Sequence, residues 1–233
     1  MGLTALLMID FQRDFCEAGG YSAAFAGLDW VTPIIAPARR LLEGARRAGH
    51  LVIHTREGYA PDLSDCSPMK LKRSRDAGAE IGSKGPMGRL LIRGEHGHDI
   101  IDALAPTAGE IVIDKASFGA FCGTNLESIL RGRGVDTLVF AGVTADVCVH
   151  TTLREAYDRW FHCNYVADAI SCFDPEIRRA CAKMISEEGG IWGTLTSVDE
   201  VLTRWEVYGG AAQGRAASVG QPRATSARQW ARS

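Results

Sequence analysis

A cysteine, an aspartate and a lysine each stand at the end of an apolar stretch of this sequence. Cys148 lies where an apolar run and a glycine-containing turn give way to a helical pattern, and Asp10 and Lys115 each end a shorter apolar run. A carboxylate can take the proton of a thiol, while an ammonium stabilises the thiolate and keeps the carboxylate ionised. Taken together, the three residues predict a nucleophilic site. Taken singly, Cys148 could be a merely buried residue, Asp10 a helix cap and Lys115 a solvated loop charge.

The position of Cys148 at a strand-to-helix junction predicts a reactive thiol. Free backbone N–H groups and the positive end of the helix dipole at such a junction favour the thiolate, which is the reactive form. We therefore expect the thiolate of Cys148 to be favoured over the thiol. The alternative is an inert, buried side chain.

Alternating strands and helices must position these residues. The predicted strands are 3–10, 50–55, 110–115, 137–141, 162–167 and 191–196, and the predicted helices are 29–49, 124–133, 175–188 and 198–205. Pro33 and Pro37 should break up the early part of the first helix. Apolar runs without polar alternation are typical of strands buried on both faces, so the predicted fold class is α/β: a three-layer, doubly wound, mostly parallel sheet with helices on both faces. Ligands bind at the carboxyl ends of such strands, where all three residues fall.

Length and composition predict a globular enzyme. The 233 residues suit one domain with a sizeable core, and the 46% of hydrophobic residues is ordinary for a folded chain. A net charge of -2 offers no basic field for a nucleic acid, and no apolar run is long enough for a membrane span. The first strand begins almost at once, which leaves no room for a signal peptide. Seven cysteines without paired spacing favour a cytoplasmic location.

Two segments depart from the strand and helix pattern. Residues 56–97 carry three prolines and many charges, and an irregular segment of this length is usually a lid or an interface. Residues 209–233 hold four arginines and no acid, without an apolar period, and are expected to be a disordered tail. The predicted catalytic domain is therefore 1–208.

Three motifs resemble those of a known family. Residues 7–15 (Leu-Met-Ile-Asp-Phe-Gln-Arg-Asp-Phe), 113–115 (Ile-Asp-Lys) and 142–148 (Gly-Val-Thr-Ala-Asp-Val-Cys) are similar to the three motifs of the isochorismatase-like cysteine hydrolases. The resemblance extends over about residues 3–206. It implies a catalytic triad, a cis peptide bond and an oxyanion hole. The triad would be Asp10, Lys115 and Cys148, the cis bond would precede Thr144, and the oxyanion hole would be the backbone N–H groups of Thr144 and Cys148. True isochorismatases lack the cysteine, so its presence favours amide hydrolysis over vinyl-ether hydrolysis.

Longer segments resemble the biuret, triuret and ureidoacrylate hydrolases of that family. They are residues 19–21, 55–58, 61–63, 79–82, 85–89, 93–95 and 97–101. The resemblance implies hydrolysis of a C–N bond in a small carbamoyl or ureido compound, with release of ammonia through a covalent cysteine intermediate. It implies no cofactor and, because the Asp–His–His set of the nicotinamidases cannot be found, no metal. Phe15 and Arg56 are candidate substrate contacts. Arg56, Glu57 and Arg89 could together shape the substrate pocket, or could equally form salt bridges of a lid.

Two positions depart from the biuret-hydrolase pattern. Phe118 stands where those enzymes carry a second lysine, and Glu188 stands where they carry a glutamine that contacts the substrate amide. Both are candidate substrate-binding residues. If both face the substrate, the pocket has one positive charge fewer and one negative charge more, which favours a neutral or cationic ureido compound such as guanylurea. Neutral drift at both positions is the alternative.

Other functions and the assembly stay open. The chain could be another amidase of the family, nicotinamidase-like or acting on N-carbamoyl amino acids, or a non-catalytic scaffold with a merely buried Cys148. The expected partners are a small-molecule amide substrate and further copies of the chain. We expect a homodimer or homotetramer, with no nucleic acid and no membrane as partners.

Overall fold

Six parallel strands form the main sheet of residues 3–206, which are the residues that the computed structural model describes. The strands of the chain are β1 (Leu3–Ile9), β2 (Leu51–Glu57), β3 (Lys84–Gly85), β4 (Gly88–Arg89), β5 (Ile111–Lys115), β6 (Val135–Val143), β7 (His162–Ser171) and β8 (Thr194–Thr196). Their order in the sheet is β5-β2-β1-β6-β7-β8, and β3 and β4 form a separate antiparallel hairpin. The predicted α/β fold is confirmed.

Helices follow most of the strands. They are α1 (Arg13–Cys16), α2 (Tyr21–Ala26), α3 (Thr32–Ala48), α4 (Pro68–Asp76), α5 (Leu126–Gly132), α6 (His150–Tyr157), α7 (Pro175–Ser186) and a helix over 198–206 that reaches the end of the described range. A π-helical turn, Ala145–Val149, leads into α6. Within 3–206, no helix combines the length and the apolar character that a bilayer crossing requires.

Both faces of the sheet are buried, as the apolar strands predict. Alternate residues of β1 point to opposite sides. Leu7 belongs to the apolar cluster that packs under α5, α6 and α7, and Met8 belongs to the cluster under α3 and the helix over 198–206. Such two-sided burial of a parallel sheet leaves the edge at the strand ends as the place for a site.

Two local predictions are wrong. Helix α3 continues through Pro37. Pro33 lies in the first turn, where the backbone N–H has no partner within the helix, and Pro37 removes a single helical hydrogen bond near the beginning of the helix. Residues 56–97 are not irregular throughout, because they contain α4 and the β3–β4 hairpin and because β2 extends to Glu57. The predicted tail, 209–233, lies outside the described residues, so both the tail and the domain boundary stay predictions.

Candidate active site

The carboxyl ends of four neighbouring strands meet at one edge of the sheet. In the order β5, β2, β1 and β6, these ends carry Lys115, Glu57, Asp10 and the turn with Cys148. The sequence placed three of the four groups at strand ends. Glu57 completes the set because β2 lies between β5 and β1.

Asp10 and Lys115 form a buried ion pair. Lys115 Nζ lies 2.7 Å from Asp10 Oδ2, and both side chains are shielded completely from solvent. The hydroxyl of Thr55 donates to Asp10 Oδ1 at 2.6 Å. Burial by itself would lower the pKa of Lys115, but the charges of Asp10, Cys148 and Glu57 outweigh it and raise the pKa above the usual range. The lysine therefore stays an ammonium.

The turn that carries Cys148 is shaped by its backbone. The peptide bond between Val143 and Thr144 is cis, as the family resemblance implied. Just before it, Gly142 has a φ of 145°, and a Cβ atom there would lie 2.2 Å from the carbonyl oxygen of Ile9. Only glycine therefore permits this close approach of β6 to β1. Thr144 and Cys148 both line the cavity above the sheet edge, and their role as an oxyanion hole stays a prediction.

The thiol of Cys148 differs from its sequence-based prediction. Burial raises its pKa well above the ordinary value, and Asp10 and Glu57 raise it further, while Lys115 acts in the opposite direction. The expectation that the thiolate would be favoured is therefore wrong for the resting site. The helix terminus is outweighed because the sulfur is buried beside two carboxylates. A neutral thiol needs a base at the moment of attack.

Glu57 and Lys70 form a second buried ion pair that the candidate site residues did not include. Lys70 Nζ, on α4, lies 2.9 Å from Glu57 Oε1, and Glu57 Oε2 lies 3.5 Å from the sulfur of Cys148. Burial would raise the pKa of Glu57, but Lys115 and Lys70 outweigh it and lower the pKa. In the sequence, Glu57 stood out only as one of three charged residues that could shape the pocket or form salt bridges of a lid, and Lys70 gave no signal.

A cavity of about 280 Å³ opens above Cys148. Its lining is mostly apolar and includes two of the predicted substrate contacts, Phe15 and Phe118. The Phe118 ring also supports Lys70, whose Nζ lies 4.0 Å from the ring centroid. Lys70 thus places an ammonium over the aromatic ring of Phe118. The contact of Phe118 with a substrate stays a prediction.

The other two predicted substrate contacts lie elsewhere. Arg56 alternates with Glu57 on β2, does not line the cavity, and pairs with Asp99 at 2.6 Å and Asp114 at 2.7 Å. This agrees with the salt-bridge alternative. Glu188 follows α7, is exposed, and does not line the cavity either. The described chain therefore gives the cavity no extra negative charge from Glu188.

One group within residues 3–206 has the composition of a metal site. Asp10, Glu57 and Cys148 offer three ligand atoms within 4.8 Å of one another. Each carboxylate, however, already pairs with an ammonium, at 2.7 Å for Lys115 and 2.9 Å for Lys70. A divalent cation would therefore have to bind beside two ammonium groups that already neutralise these carboxylates. The arrangement suits proton transfer to and from the thiol better than metal binding.

Comparison with known proteins agrees with this geometry. Residues 4–197 match the isochorismatase domain. The chain is 33% identical over 209 residues to the ureidoacrylate amidohydrolase RutB of Serratia proteamaculans, an alignment that covers 84% of this chain and 80% of the relative. A cysteine hydrolase from Pseudomonas syringae superposes with a TM-score of 0.74 at 28% identity, covering 88% of this chain and 92% of the other. An N-carbamoylsarcosine amidase from Thermoplasma acidophilum superposes with a TM-score of 0.64 at 28% identity, covering 84% and 97%.

Proposed function

The chain belongs to the isochorismatase family and is an amidohydrolase, and we propose that it cleaves a C–N bond of a small ureido compound through a covalent intermediate on Cys148. The name of the Serratia relative, a ureidoacrylate amidohydrolase, supports this substrate class. So does the cavity of about 280 Å³, which suits a small molecule. Guanylurea, biuret and triuret belong to the same class.

The first half of the reaction forms the intermediate. Asp10 takes the proton of Cys148, and the sulfur attacks the carbonyl carbon of the substrate, whose oxygen becomes an oxyanion. The backbone N–H groups of Thr144 and Cys148 hold this oxyanion, and each such donor contributes about 3 kcal/mol. Asp10 then returns its proton to the nitrogen that leaves. The C–N bond breaks, ammonia departs, and a thioester remains on Cys148.

The second half releases the product. Asp10 removes a proton from a water molecule, whose oxygen attacks the thioester carbon, and the C–S bond breaks. The proton passes from Asp10 to the sulfur, which restores the thiol. Lys115 stays protonated throughout and stabilises whichever of Asp10 and Cys148 is negative, since its Nζ lies 2.7 Å from Asp10 and it is coupled to both charges.

One observation carries the proposal: the thiol of Cys148 lies at the cavity within 4.8 Å of a carboxylate oxygen of Asp10, and Asp10 is paired with Lys115 at 2.7 Å. A non-catalytic scaffold does not require a buried carboxylate–ammonium pair close to a buried thiol, and burying charges costs stability. The same three residues could hydrolyse any carboxamide that fits the cavity. The substrate class therefore needs a separate test.

Ammonia release across a panel of compounds tests the proposal. The panel contains biuret, triuret, guanylurea, ureidoacrylate, nicotinamide and several N-carbamoyl amino acids. We expect turnover of at least one compound with an N–CO–N group and none by Cys148→Ala. A preference for nicotinamide would support the nicotinamidase alternative. Ammonia release by Cys148→Ala at the wild-type rate would refute the covalent mechanism.

The assembly and the location belong to the proposal as well. We infer a homodimer or homotetramer in which a neighbouring copy completes the cavity. Met69 supports this, because 79% of this apolar residue is exposed on α4, the helix that also contributes Arg73 to the cavity lining. A cytoplasmic location stays a prediction from the cysteine pattern.

A further inference from the structure

The structure assigns to Glu57 the selection of carbonyl groups that carry two nitrogen atoms. This inference rests on the proposed function and deepens it. We propose that Oε2 of Glu57 accepts a hydrogen bond from the second nitrogen of an N–CO–N group, while Asp10 serves the nitrogen that leaves. Glu57 would thus be the residue that distinguishes ureido compounds from ordinary carboxamides.

The two oxygens of Glu57 have unequal surroundings. Oε1 receives Lys70 Nζ at 2.9 Å and the hydroxyl of Tyr59 at 3.1 Å. Among the described residues, Oε2 has one weak partner, the thiol of Cys148 at 3.5 Å. The Glu57 side chain is nevertheless buried, with 7% of its surface exposed, and it lines the cavity. A buried carboxylate oxygen with a single weak donor has the capacity to accept a hydrogen bond from a ligand.

The backbone and the neighbours of Glu57 keep this oxygen in place. The side chain of Gln12 bonds both backbone groups of Glu57, accepting from its N–H at 2.7 Å and donating to its carbonyl at 2.9 Å. Lys70 in turn donates to the Ala116 carbonyl at 3.0 Å and lies over the Phe118 ring. Glu57 therefore presents a charged acceptor from a rigid support, which is what a specific contact needs.

A ureido carbon carries an oxygen and two nitrogens, and the site offers one group for each of them. The backbone N–H donors face the oxygen, and the carboxylates of Asp10 and Glu57 face the two nitrogens. One oxygen each of Asp10 and Glu57 and the sulfur of Cys148 lie within 4.8 Å of one another. When the sulfur attacks the carbon, the carbonyl oxygen turns to the backbone donors, and two substituents remain. In a ureido group both are nitrogens, so each carboxylate receives an N–H donor. In a carboxamide one of them is carbon, and the charge of Glu57 faces a group that cannot donate.

Pairs of substrates that differ only by N–H against CH₂ test this inference. Biuret pairs with malonamide, and 3-ureidopropionate pairs with glutaramate. We would measure kcat/KM for ammonia release with each pair, using the wild type, Glu57→Gln and Lys70→Met. The control is Glu43→Gln, which removes an exposed carboxylate that pairs with Arg39 on α3.

We expect Glu57→Gln to lower kcat/KM for the ureido member of a pair by about 10- to 100-fold, because one charge-assisted hydrogen bond is lost. The kcat/KM for the CH₂ member should change by less than about threefold, because it makes no such bond. Lys70→Met should act in the same direction because it removes the ammonium that holds Oε1, and it replaces Glu57→Gln as the test should that variant fail to fold. Glu43→Gln should change neither member.

The outcomes separate this inference from the proposed function. If Glu57→Gln lowers both members of a pair equally, or neither, Glu57 does not select the second nitrogen, while hydrolysis through Cys148 still stands. If the wild type releases no ammonia from any N–CO–N compound of the panel or of these pairs, or Cys148→Ala keeps the activity, the proposed function fails and this inference fails with it.

Discussion

Replacing Asp10 by asparagine should make Cys148 more reactive and at the same time abolish turnover. The carboxylate of Asp10 is one of the two charges that raise the pKa of Cys148, while Lys115 lowers it. In Asp10→Asn, Lys115 loses the partner at 2.7 Å, and its charge then acts on the thiol of Cys148 and on Glu57 only. The thiolate becomes easier to form, but no group remains to protonate the leaving nitrogen or to activate water.

The expected size follows from the loss of one neighbouring charge. A single charge at this range shifts a pKa by about 1–3 units. Each unit gives about tenfold more thiolate, but the nucleophilicity of the thiolate falls by about threefold, so the net gain is about threefold per unit. Alkylation of Cys148 by iodoacetamide near neutral pH should therefore accelerate by about 3- to 30-fold.

Mass spectrometry of the labelled peptide measures this rate at Cys148 separately from the exposed Cys122. Ammonia release is followed in parallel, and a thermal unfolding scan verifies that the variant is folded. The matched control is Asp199→Asn, which removes an exposed carboxylate that pairs with Arg40 far from the cavity, and it should change neither rate. Slower alkylation in Asp10→Asn would refute the view that Asp10 raises the pKa of Cys148, and preserved turnover would refute its role as the base.

Three further predictions concern the nucleophile, the assembly and the stability. Cys148→Ser should lose turnover of every panel compound, since a hydroxyl has a far higher pKa than a thiol and Asp10 cannot deprotonate it; activity near the wild-type rate would contradict this. Light scattering at micromolar concentration should give the mass of a dimer or tetramer, and a fully active monomer would contradict the shared cavity. Glu110→Gln should lower the Tm at pH 7, because Arg46 at 2.7 Å, the Thr107 N–H and His54 outweigh burial and lower the pKa of Glu110 from 4.5 to about 2. The unfolded state takes up the proton first as the pH falls, so the Tm difference from the wild type should shrink between about pH 4.5 and pH 2 and be absent below, and a constant difference would contradict the assignment.

The candidate site could be predicted from the sequence where a residue and its strand are neighbours in the chain. Asp10 directly follows β1 and Lys115 ends β5, and apolar runs without alternation are sufficient to predict buried parallel strands whose carboxyl ends share one edge. The turn with Thr144 and Cys148 follows β6 in the same way. Its cis bond came from the resemblance to a family rather than from any physical pattern, since nothing local indicates a cis bond without proline.

What only the tertiary structure decided are the relations between groups far apart in the chain. The order β5-β2-β1 places Glu57 between Lys115 and Asp10, and no local pattern reveals the order of strands in a sheet. Lys70 reaches the site from α4, inside a segment predicted to be irregular, and only packing brings its ammonium to Glu57 and the Phe118 ring. The pKa of Cys148 depends on the same packing, because burial and charges across the site, and not the local helix terminus, determine whether the thiol keeps its proton.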